Sequence, residues 1–248
     1  MFRDLGQLIL LLLDTFRALP LAMRQRKKIF EQIYEIGYAS LMMACLMAMF
    51  VGAVLALQTG PALVERGLGS FVGGIVGRGV CRELAPVMMA ILIAGRIGSA
   101  MAAEIGSMKV YQEIDALKTM RINPIHYLVL PRVVAISLAL PALTLVADLT
   151  GWLGGAIVAS TNSDIGVSYH VYFTYLGDWV GHKDVISGLI KSFFFALATG
   201  IVCCHQGLGT IGGPRGIGRS VTKAVVNSIV LILIMDYLLT RLLIEFDL

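Results

Sequence analysis

Ionisable residues inside apolar runs are the part of this sequence best suited to chemistry. They are Arg82, Glu83, Arg96, Asp148, Lys191 and Asp236. A charge at the centre of a membrane helix costs about 2.5 to 3.5 kcal/mol on insertion scales, so each needs an opposite charge or water. Arg82 and Glu83 are neighbours and point about 100° apart on a helix, so they cannot satisfy each other. We expect one or both to face a polar cavity or the headgroup of an amphiphile. For the other four, pairing across helices that merely holds a bundle together is the competing interpretation.

Patterns of catalysis and metal binding are absent from the sequence. The four histidines, His126, His170, His182 and His205, are scattered, and none has the spacing of a metal site or of a nucleophile with its base. The four cysteines fall in or beside apolar runs and form no disulfide framework. The sequence therefore predicts no catalytic residue, no metal site and no cofactor, and the chain is not expected to be an enzyme.

Two glycine patterns resemble nucleotide-binding motifs. Residues 207–212 fit GxGxxG, and residues 213–220 resemble a P-loop with arginine in place of lysine. Such motifs bind phosphate only between a strand and a helix of an α/β sheet. Here they join two apolar runs, so we interpret them as a tight cytoplasmic turn.

The elements that must position these residues are membrane helices. The chain has 248 residues, of which 57% are hydrophobic and 15% charged, with a mean hydropathy of +0.82; an ordinary soluble domain is about a quarter charged. Five apolar runs are long enough to cross a bilayer. They cover residues 36–58, a part of 68–103, 132–160, 185–205 and 221–244. The predicted fold is an all-α integral membrane protein, a single domain over residues 1–248 with a five-span bundle at 36–244. Pro86 and a cluster of glycines predict a kinked or partly re-entrant second span.

An amphipathic segment precedes the first span. Apolar residues recur at helical spacing, namely Leu5, Leu8, Ile9, Leu12, Phe16 and Leu19. This pattern is typical of a helix that lies in the membrane interface rather than crossing it. We predict such an interfacial helix within residues 1–30.

The distribution of Lys and Arg predicts the orientation. Most of them lie in the N-terminal segment and in the loops around residues 104–132 and 206–223, whereas the alternate loops carry only Arg66 and Lys183. Positive loops are retained in the cytoplasm, so the N-terminus is predicted to be cytoplasmic and the C-terminus to lie outside. The outer segment 164–184 is rich in aromatic residues, which suits either anchoring at headgroup level or docking of an external partner.

The loop after the second span is charged and amphipathic. Residues 104–121 carry apolar positions that could form a docking ridge beside several charges, and proline blocks helix continuation at Asn123-Pro124. We predict a coupling helix that transmits movement from a soluble partner. A helix lying passively on the membrane surface is the alternative.

Several stretches resemble one known family. They are 52–58 (GAVLALQ), 82–86 (RELAP), 94–100 (AGRIGSA), 103–106 (AEIG), 112–117 (QEIDAL), Asn123-Pro124, Pro131-Arg132, the glycines from 212 to 218, and Asp236 with Leu239-Thr240. Together they resemble the Mla-type (MlaE/YrbE-like) permeases of ABC transporters that work with MCE proteins in lipid trafficking. The likeness covers roughly residues 37–240.

That resemblance implies a function and partners. It implies a permease in the bacterial inner membrane that moves phospholipid to or from a periplasmic MCE protein, maintaining outer-membrane lipid asymmetry or envelope lipid supply. It also implies a homodimer, a separate ABC ATPase subunit and, in many systems, a small STAS-domain protein. The implied lipid-binding residues are Val54, Leu57, Gln58, Arg82 and Glu83. The implied ATPase-coupling residues are Glu104, Gly106, Glu113, Asp115, Ala116 and Leu117.

Two other function classes compete with this interpretation. An ion-coupled secondary transporter of an amphiphilic substrate would also tolerate buried charges, but the sequence shows no inverted repeat of the kind such folds contain. An intramembrane lipid-modifying enzyme is disfavoured because no catalytic constellation is present.

Overall fold

The computed structural model describes residues 2–22 and 25–246. Within these ranges the chain consists of helices and short connections, without a strand, which confirms the predicted all-α fold. The helices are α1 (Phe2–Ala22), α2 (Arg26–Glu65), α3 (Gly69–Val110), α4 (Glu113–Thr119), α5 (Ile125–Thr161), α6 (Tyr169–Trp179), α7 (His182–Leu208) and α8 (Gly213–Glu245). Five of them, α2, α3, α5, α7 and α8, are long and apolar enough to cross a membrane. Each of the five predicted spans lies within one of these helices.

The first two helices differ from the predicted boundaries. The expected interfacial segment 1–30 contains α1, which ends at Ala22, while residues from Arg26 onward already belong to α2. Residues 1, 23 and 24 of that segment lie outside the described ranges. α2 starts well before the predicted span at residue 36 because no glycine or proline breaks the charged stretch that leads into the apolar run.

The helix α3 contains two wider turns. The backbone is π-helical at Val80–Leu84 and again at Ala94–Gly98. Pro86 follows the first of these turns and has no N–H to give to the carbonyl of Arg82, four residues earlier. The sequence predicts a kinked or partly re-entrant span here. The structure has a π-helical turn before Pro86, and the helix continues through it.

Contacts divide the chain into two compact units. The first comprises Met1–Ala39, Ala90–Leu140 and Phe193–Met235, and the second Ser40–Met89, Pro141–Ser192 and Asp236–Leu248.

In the first unit, α3, α7 and α8 pack together at small side chains. Ala102, Cys203 and Ala224 form a buried cluster, against which Val221 packs. α1 buries Leu11, Thr15 and Ala18 and leaves the apolar Ile9, Leu13 and Phe16 exposed.

In the second unit, α2 and α5 approach backbone to backbone. A Cβ atom at Gly52 would collide with the carbonyl oxygen of Gly151, and one at Gly154 with the carbonyl oxygen of Met49. Such close approach of membrane helices is what small residues permit. The aromatic helix α6 packs on the start of α3, and its Tyr172 is fully buried, so part of this aromatic set serves internal packing rather than the surface.

Candidate functional site

A buried lysine joins three helices in the second unit. The Nζ atom of Lys191 on α7 lies 2.6 Å from Oε2 of Glu83 on α3 and 3.3 Å from Oδ1 of Asp236 on α8. It also donates a hydrogen bond to the backbone carbonyl of Arg82 at 3.0 Å. Pro86 cannot donate to this carbonyl because proline has no N–H. The lysine therefore hydrogen-bonds Glu83 and the backbone carbonyl of Arg82, and it lies within ion-pair distance of Asp236.

Local packing explains why the lysine can reach that carbonyl. Gly188 lies one turn before Lys191, and a Cβ atom there would collide with the carbonyl oxygen of Cys81. The missing side chain lets α7 approach the π-helical turn of α3 closely. Any larger residue at this position would push Lys191 away from its partners.

A buried carboxylate gathers two arginines beside this lysine cluster. Oδ1 of Asp184 lies 3.1 Å from Nε of Arg78 and 3.1 Å from Nε of Arg82. Its other oxygen, Oδ2, accepts a hydrogen bond from the backbone N–H of Gly181 at 2.9 Å. Asp184 thus holds the start of α7 against α3 through the two arginines, while the N–H of Gly181 fixes its other oxygen.

An apolar groove runs along α2 and includes one residue of α3. It has a volume of about 360 Å³ and is lined by Phe50, Val51, Val54, Leu55, Gln58 and Leu84. Five of the six side chains are aliphatic or aromatic, and Gln58 alone is polar. Leu84 is the residue of α3 that directly follows Glu83 in the sequence.

The predicted lipid-binding residues separate into two groups. Val54 and Gln58 line the groove, and Arg82 and Glu83 belong to the charged clusters. Leu57 is exposed on α2 and does not line the groove. The expectation that Arg82 and Glu83 cannot pair with each other agrees with their geometry, since each binds a different side chain of α7, Asp184 and Lys191 respectively.

Sequence reasoning missed Arg78 and Asp184 as members of the site. Arg78 lies four residues before Arg82 and hence on the same helix face, a spacing that could have identified it. In the sequence, Asp184 ends the outer segment 164–184, and no local pattern predicts that its carboxylate turns inward. Lys191 and Asp236 were recognised as buried charges, but their partners lie far away in the sequence and were not predicted.

The other buried ionisable residue singled out by the sequence has a different neighbour. Asp148 on α5 is buried, and its Oδ2 accepts from Sγ of Cys81 at 3.7 Å. Among the described residues, no group of three or more His, Cys, Asp or Glu side chains is arranged to hold a metal ion. The glycine-rich stretch that resembles nucleotide motifs joins α7 to α8, with Gly212 and Gly213 at positive φ.

The predicted coupling segment is two helical pieces rather than one helix. α3 ends at Val110, and α4 starts at Glu113. Gln112 separates them with a φ of 62°, a left-handed conformation that interrupts the helical hydrogen bonds. The segment 104–121 is therefore bent at Gln112.

The predicted coupling residues occupy different environments. Glu113, Asp115 and Ala116 on α4 are exposed, and Leu117 is half-buried. Gly106 is buried, and a Cβ atom there would approach the hydroxyl of Thr210 to 2.8 Å. Glu104 binds Nη2 of Arg132 at 2.8 Å, which ties the end of α3 to α5.

Electrostatics of α4 centre on Asp115. Its carboxylate lies 3.4 Å from Nζ of Lys109 and 3.4 Å from Nζ of Lys118. Hydrogen bonds from Lys109 and then Lys118 lower the pKa of the Asp115 carboxyl, so this carboxyl is ionised at neutral pH. The exposed surface of α4 thus combines fixed charges with the neighbouring exposed side chains of Tyr111 and Met120.

Known proteins match nearly the whole chain. The family model described as "Permease MlaE" matches residues 29–242. A probable ABC transporter permease protein of Rickettsia felis is 39% identical over 214 residues, covering 86% of this chain and 82% of the relative. One of Synechocystis is 38% identical over 220 residues, covering 89% and 83%. The protein TRIGALACTOSYLDIACYLGLYCEROL 1, chloroplastic, of Arabidopsis thaliana is 36% identical over 210 residues, covering 85% of this chain and 59% of the relative.

Proposed function

Because the chain belongs to the MlaE family of ABC transporter permeases, we propose that it moves phospholipids across or out of the bacterial inner membrane. It does so as the permease subunit of an ATP-driven complex that exchanges lipid with a periplasmic MCE protein. Its cellular role is to maintain outer-membrane lipid asymmetry or the supply of envelope lipid.

The observation that carries this proposal is an apolar groove whose α3 residue, Leu84, directly follows the charged residues Arg82 and Glu83 in the chain. A phospholipid has a similar division, with acyl chains at one end and a charged headgroup at the other. Val54 and Leu84 offer an apolar surface to a chain, while Arg82 and Glu83 are the two preceding residues of α3. The name of the Arabidopsis relative, which contains that of a glycolipid, is in keeping with a lipid substrate.

We infer the partners from the parts of an ATP-driven transporter that a single copy of this chain does not supply. The groove lies open on the surface of a single chain, and two copies about a two-fold axis would enclose a larger cavity. ATP hydrolysis belongs to a separate ATPase subunit, which would bind the exposed surface of α4 through Glu113, Asp115 and Ala116. Glu104 and the buried Gly106 would hold this surface in place. A periplasmic MCE protein would receive the lipid, and a STAS-domain protein would associate on the cytoplasmic side.

Orientation in the inner membrane follows from the distribution of positive charge. The N-terminus and α4 lie in the cytoplasm in this proposal, and α6 and the C-terminus face the periplasm. The exposed apolar side chains of α1, including Ile9 and Phe16, then lie in the interface of the cytoplasmic leaflet.

Blocking the groove tests the lipid assignment. We expect Val54→Trp to fill it and to lower the amount of phospholipid that co-purifies with the full complex by about tenfold, the equivalent of about 1.4 kcal/mol. Phospholipid per complex is measured by mass spectrometry after extraction. Leu149→Trp is the matched control, because Leu149 is an exposed apolar residue of α5 outside the groove. Equal phospholipid content in wild type and both variants would overturn the proposal.

A further inference from the structure

Six charged side chains of the second unit fall into two groups of three. One group consists of Arg78, Arg82 and Asp184, and the other of Glu83, Lys191 and Asp236. We call them the cationic triad and the anionic triad. Each has a buried centre of one sign and two more exposed members of the opposite sign.

The cationic triad carries one surplus positive charge. Its centre, Asp184, has a side chain that is 6% exposed, whereas those of Arg78 and Arg82 are 49% and 25% exposed. Both guanidinium groups meet the same carboxylate oxygen through their Nε atoms, and Arg78 keeps half of its side chain open. Guanidinium groups bind phosphate oxygens with favourable geometry, so this end of the cluster is suited to a phosphate.

The anionic triad is the same arrangement with the signs reversed. Its centre, Lys191, is 1% exposed, and the side chains of Glu83 and Asp236 are 42% and 25% exposed. One ammonium group therefore faces two carboxylates, which leaves one surplus negative charge. The accessible Glu83 carboxylate is suited to bind a cation from outside the protein.

The two triads meet at α3, because Arg82 and Glu83 are consecutive residues and Lys191, the centre of the anionic triad, donates to the backbone carbonyl of Arg82 at 3.0 Å. Adjacent residues of α3 thus belong to a triad with a surplus positive charge and to one with a surplus negative charge, and the next residue, Leu84, lines the apolar groove. If the cluster only held the helices together, ion pairs of one positive and one negative side chain would be sufficient. No surplus charge of either sign would then face outward. Here the six charges sum to zero, yet the most exposed member of each triad, Arg78 in one and Glu83 in the other, has the sign of that triad's surplus.

We propose that the paired triads select a zwitterionic phospholipid headgroup, one that carries an ammonium group beyond its phosphate. The phosphate binds at Arg78 and Arg82, and the ammonium group at Glu83 and Asp236. An anionic headgroup without an amine satisfies the cationic triad alone and leaves the anionic triad uncompensated. This inference rests on the proposed function, since it names the class of phospholipid that the same site prefers.

A competition between headgroups tests the inference. The purified full complex is equilibrated with mixed vesicles of equal amounts of phosphatidylethanolamine and phosphatidylglycerol, re-isolated, and its bound lipids are quantified by mass spectrometry. We expect wild type to be enriched in phosphatidylethanolamine by about tenfold, the equivalent of about 1.4 kcal/mol. Glu83→Gln is expected to remove most of this enrichment while phospholipid remains bound. Arg78→Gln is expected to lower the amount of both lipids.

The outcomes separate this inference from the proposed function. Wild-type complex that binds both lipids equally, or prefers phosphatidylglycerol, overturns the headgroup selection and leaves the phospholipid assignment standing. Wild-type complex that binds neither lipid overturns both. Arg66→Gln is the matched control, because Arg66 is exposed and lies outside the triads, and its lipid ratio is expected to equal that of wild type. If Glu83→Gln does not fold, Asp236→Asn tests the same triad.

Discussion

Lys191 is the residue on which the charged cluster depends most directly. It is buried and compensates Glu83, Asp236 and the carbonyl of Arg82 together. Removing one member of a buried ion pair leaves the rest uncompensated, and such changes cost about 3 to 5 kcal/mol. The position therefore combines a structural role with the electrostatics of the proposed headgroup site.

We expect Lys191→Met to lower the free energy of unfolding by about 3 kcal/mol or more. The measurement is equilibrium unfolding of the purified chain in mixed detergent micelles. Lys223→Met is the control, since Lys223 is exposed and no carboxylate among the described residues lies within ion-pair distance of it; its effect is expected to stay within about 0.5 kcal/mol. Equal stability of the Lys191 variant and wild type would contradict the structural role.

Asp115 gives a pH-dependent expectation for the exposed segment around α4. Hydrogen bonds from Lys109 and Lys118 lower the pKa of its carboxyl in the folded chain. Its interaction with the two lysines is therefore complete above the unfolded-state pKa and is lost as the pH falls through the lower folded-state pKa. We expect the Asp115 carboxyl to titrate below the ordinary range of aspartate, and its midpoint to rise in Lys109→Gln.

Carboxyl-labelled NMR of the detergent-solubilised chain measures this midpoint directly. Arg121→Gln is the control, because Arg121 follows α4 without binding the Asp115 carboxylate. Identical midpoints in wild type and Lys109→Gln would show that the hydrogen bond from Lys109 does not hold the carboxylate.

At the scale of the elements, apolar run length was enough to predict all five long helices. The ends were less predictable, because helices such as α2 and α3 continue through polar residues once the apolar run has formed the helix. The π-helical turn at Val80–Leu84 depends on Pro86 together with a donor from another helix. That donor, Lys191, lies 108 positions from Glu83, and no local pattern reveals which distant residues will pair.

The contact between α3 and α5 gives an expectation for the proposed coupling segment, residues 104–121. Arg132 is largely buried, donates through Nη1 to the carbonyl of Leu128 at 3.1 Å, and binds Glu104 at 2.8 Å. This ion pair ties the helix that precedes α4 to the helix that follows it. Movement imposed on α4 would therefore reach α3 and α5 together.

We expect the effects of Glu104→Gln and Arg132→Gln on the free energy of unfolding not to add up in the double variant. Each single change leaves its partner without its counter-charge, and the double change removes both charges, so a double-mutant cycle should give a coupling energy of roughly 0.5 to 3 kcal/mol. The cycle is measured on unfolding free energy, with ATP hydrolysis by the complex as a second readout. Strictly additive effects would show that the two side chains act independently.

At the scale of the whole molecule, α8 is the long helix least covered by its own chain. Its exposed positions include Val230, Ile234 and Tyr237, but also the polar Asn227, and Asp236 is partly exposed. A helix surrounded by hydrocarbon does not favour exposed polar side chains. The mixed character of α8 instead suits a surface covered by a second copy of the chain or facing a shared cavity.

Cysteine cross-linking between copies distinguishes such a covered surface from a lipid-facing one. We expect Tyr237→Cys to form a disulfide-linked dimer in native membranes upon mild oxidation, because a two-fold interface brings equivalent residues near its axis together. Leu149→Cys on α5 is the control and is expected to remain monomeric, since Leu149 lies with the exposed Leu145 and Leu153 on an apolar face that suits lipid. The endogenous cysteines are buried or half-buried. Cross-linking through them is the background of the experiment, and it is measured in wild type. Cross-linking at Leu149 but not at Tyr237 would move the interface between copies from α8 to α5, and with it the cavity in which the two charged triads would meet a lipid.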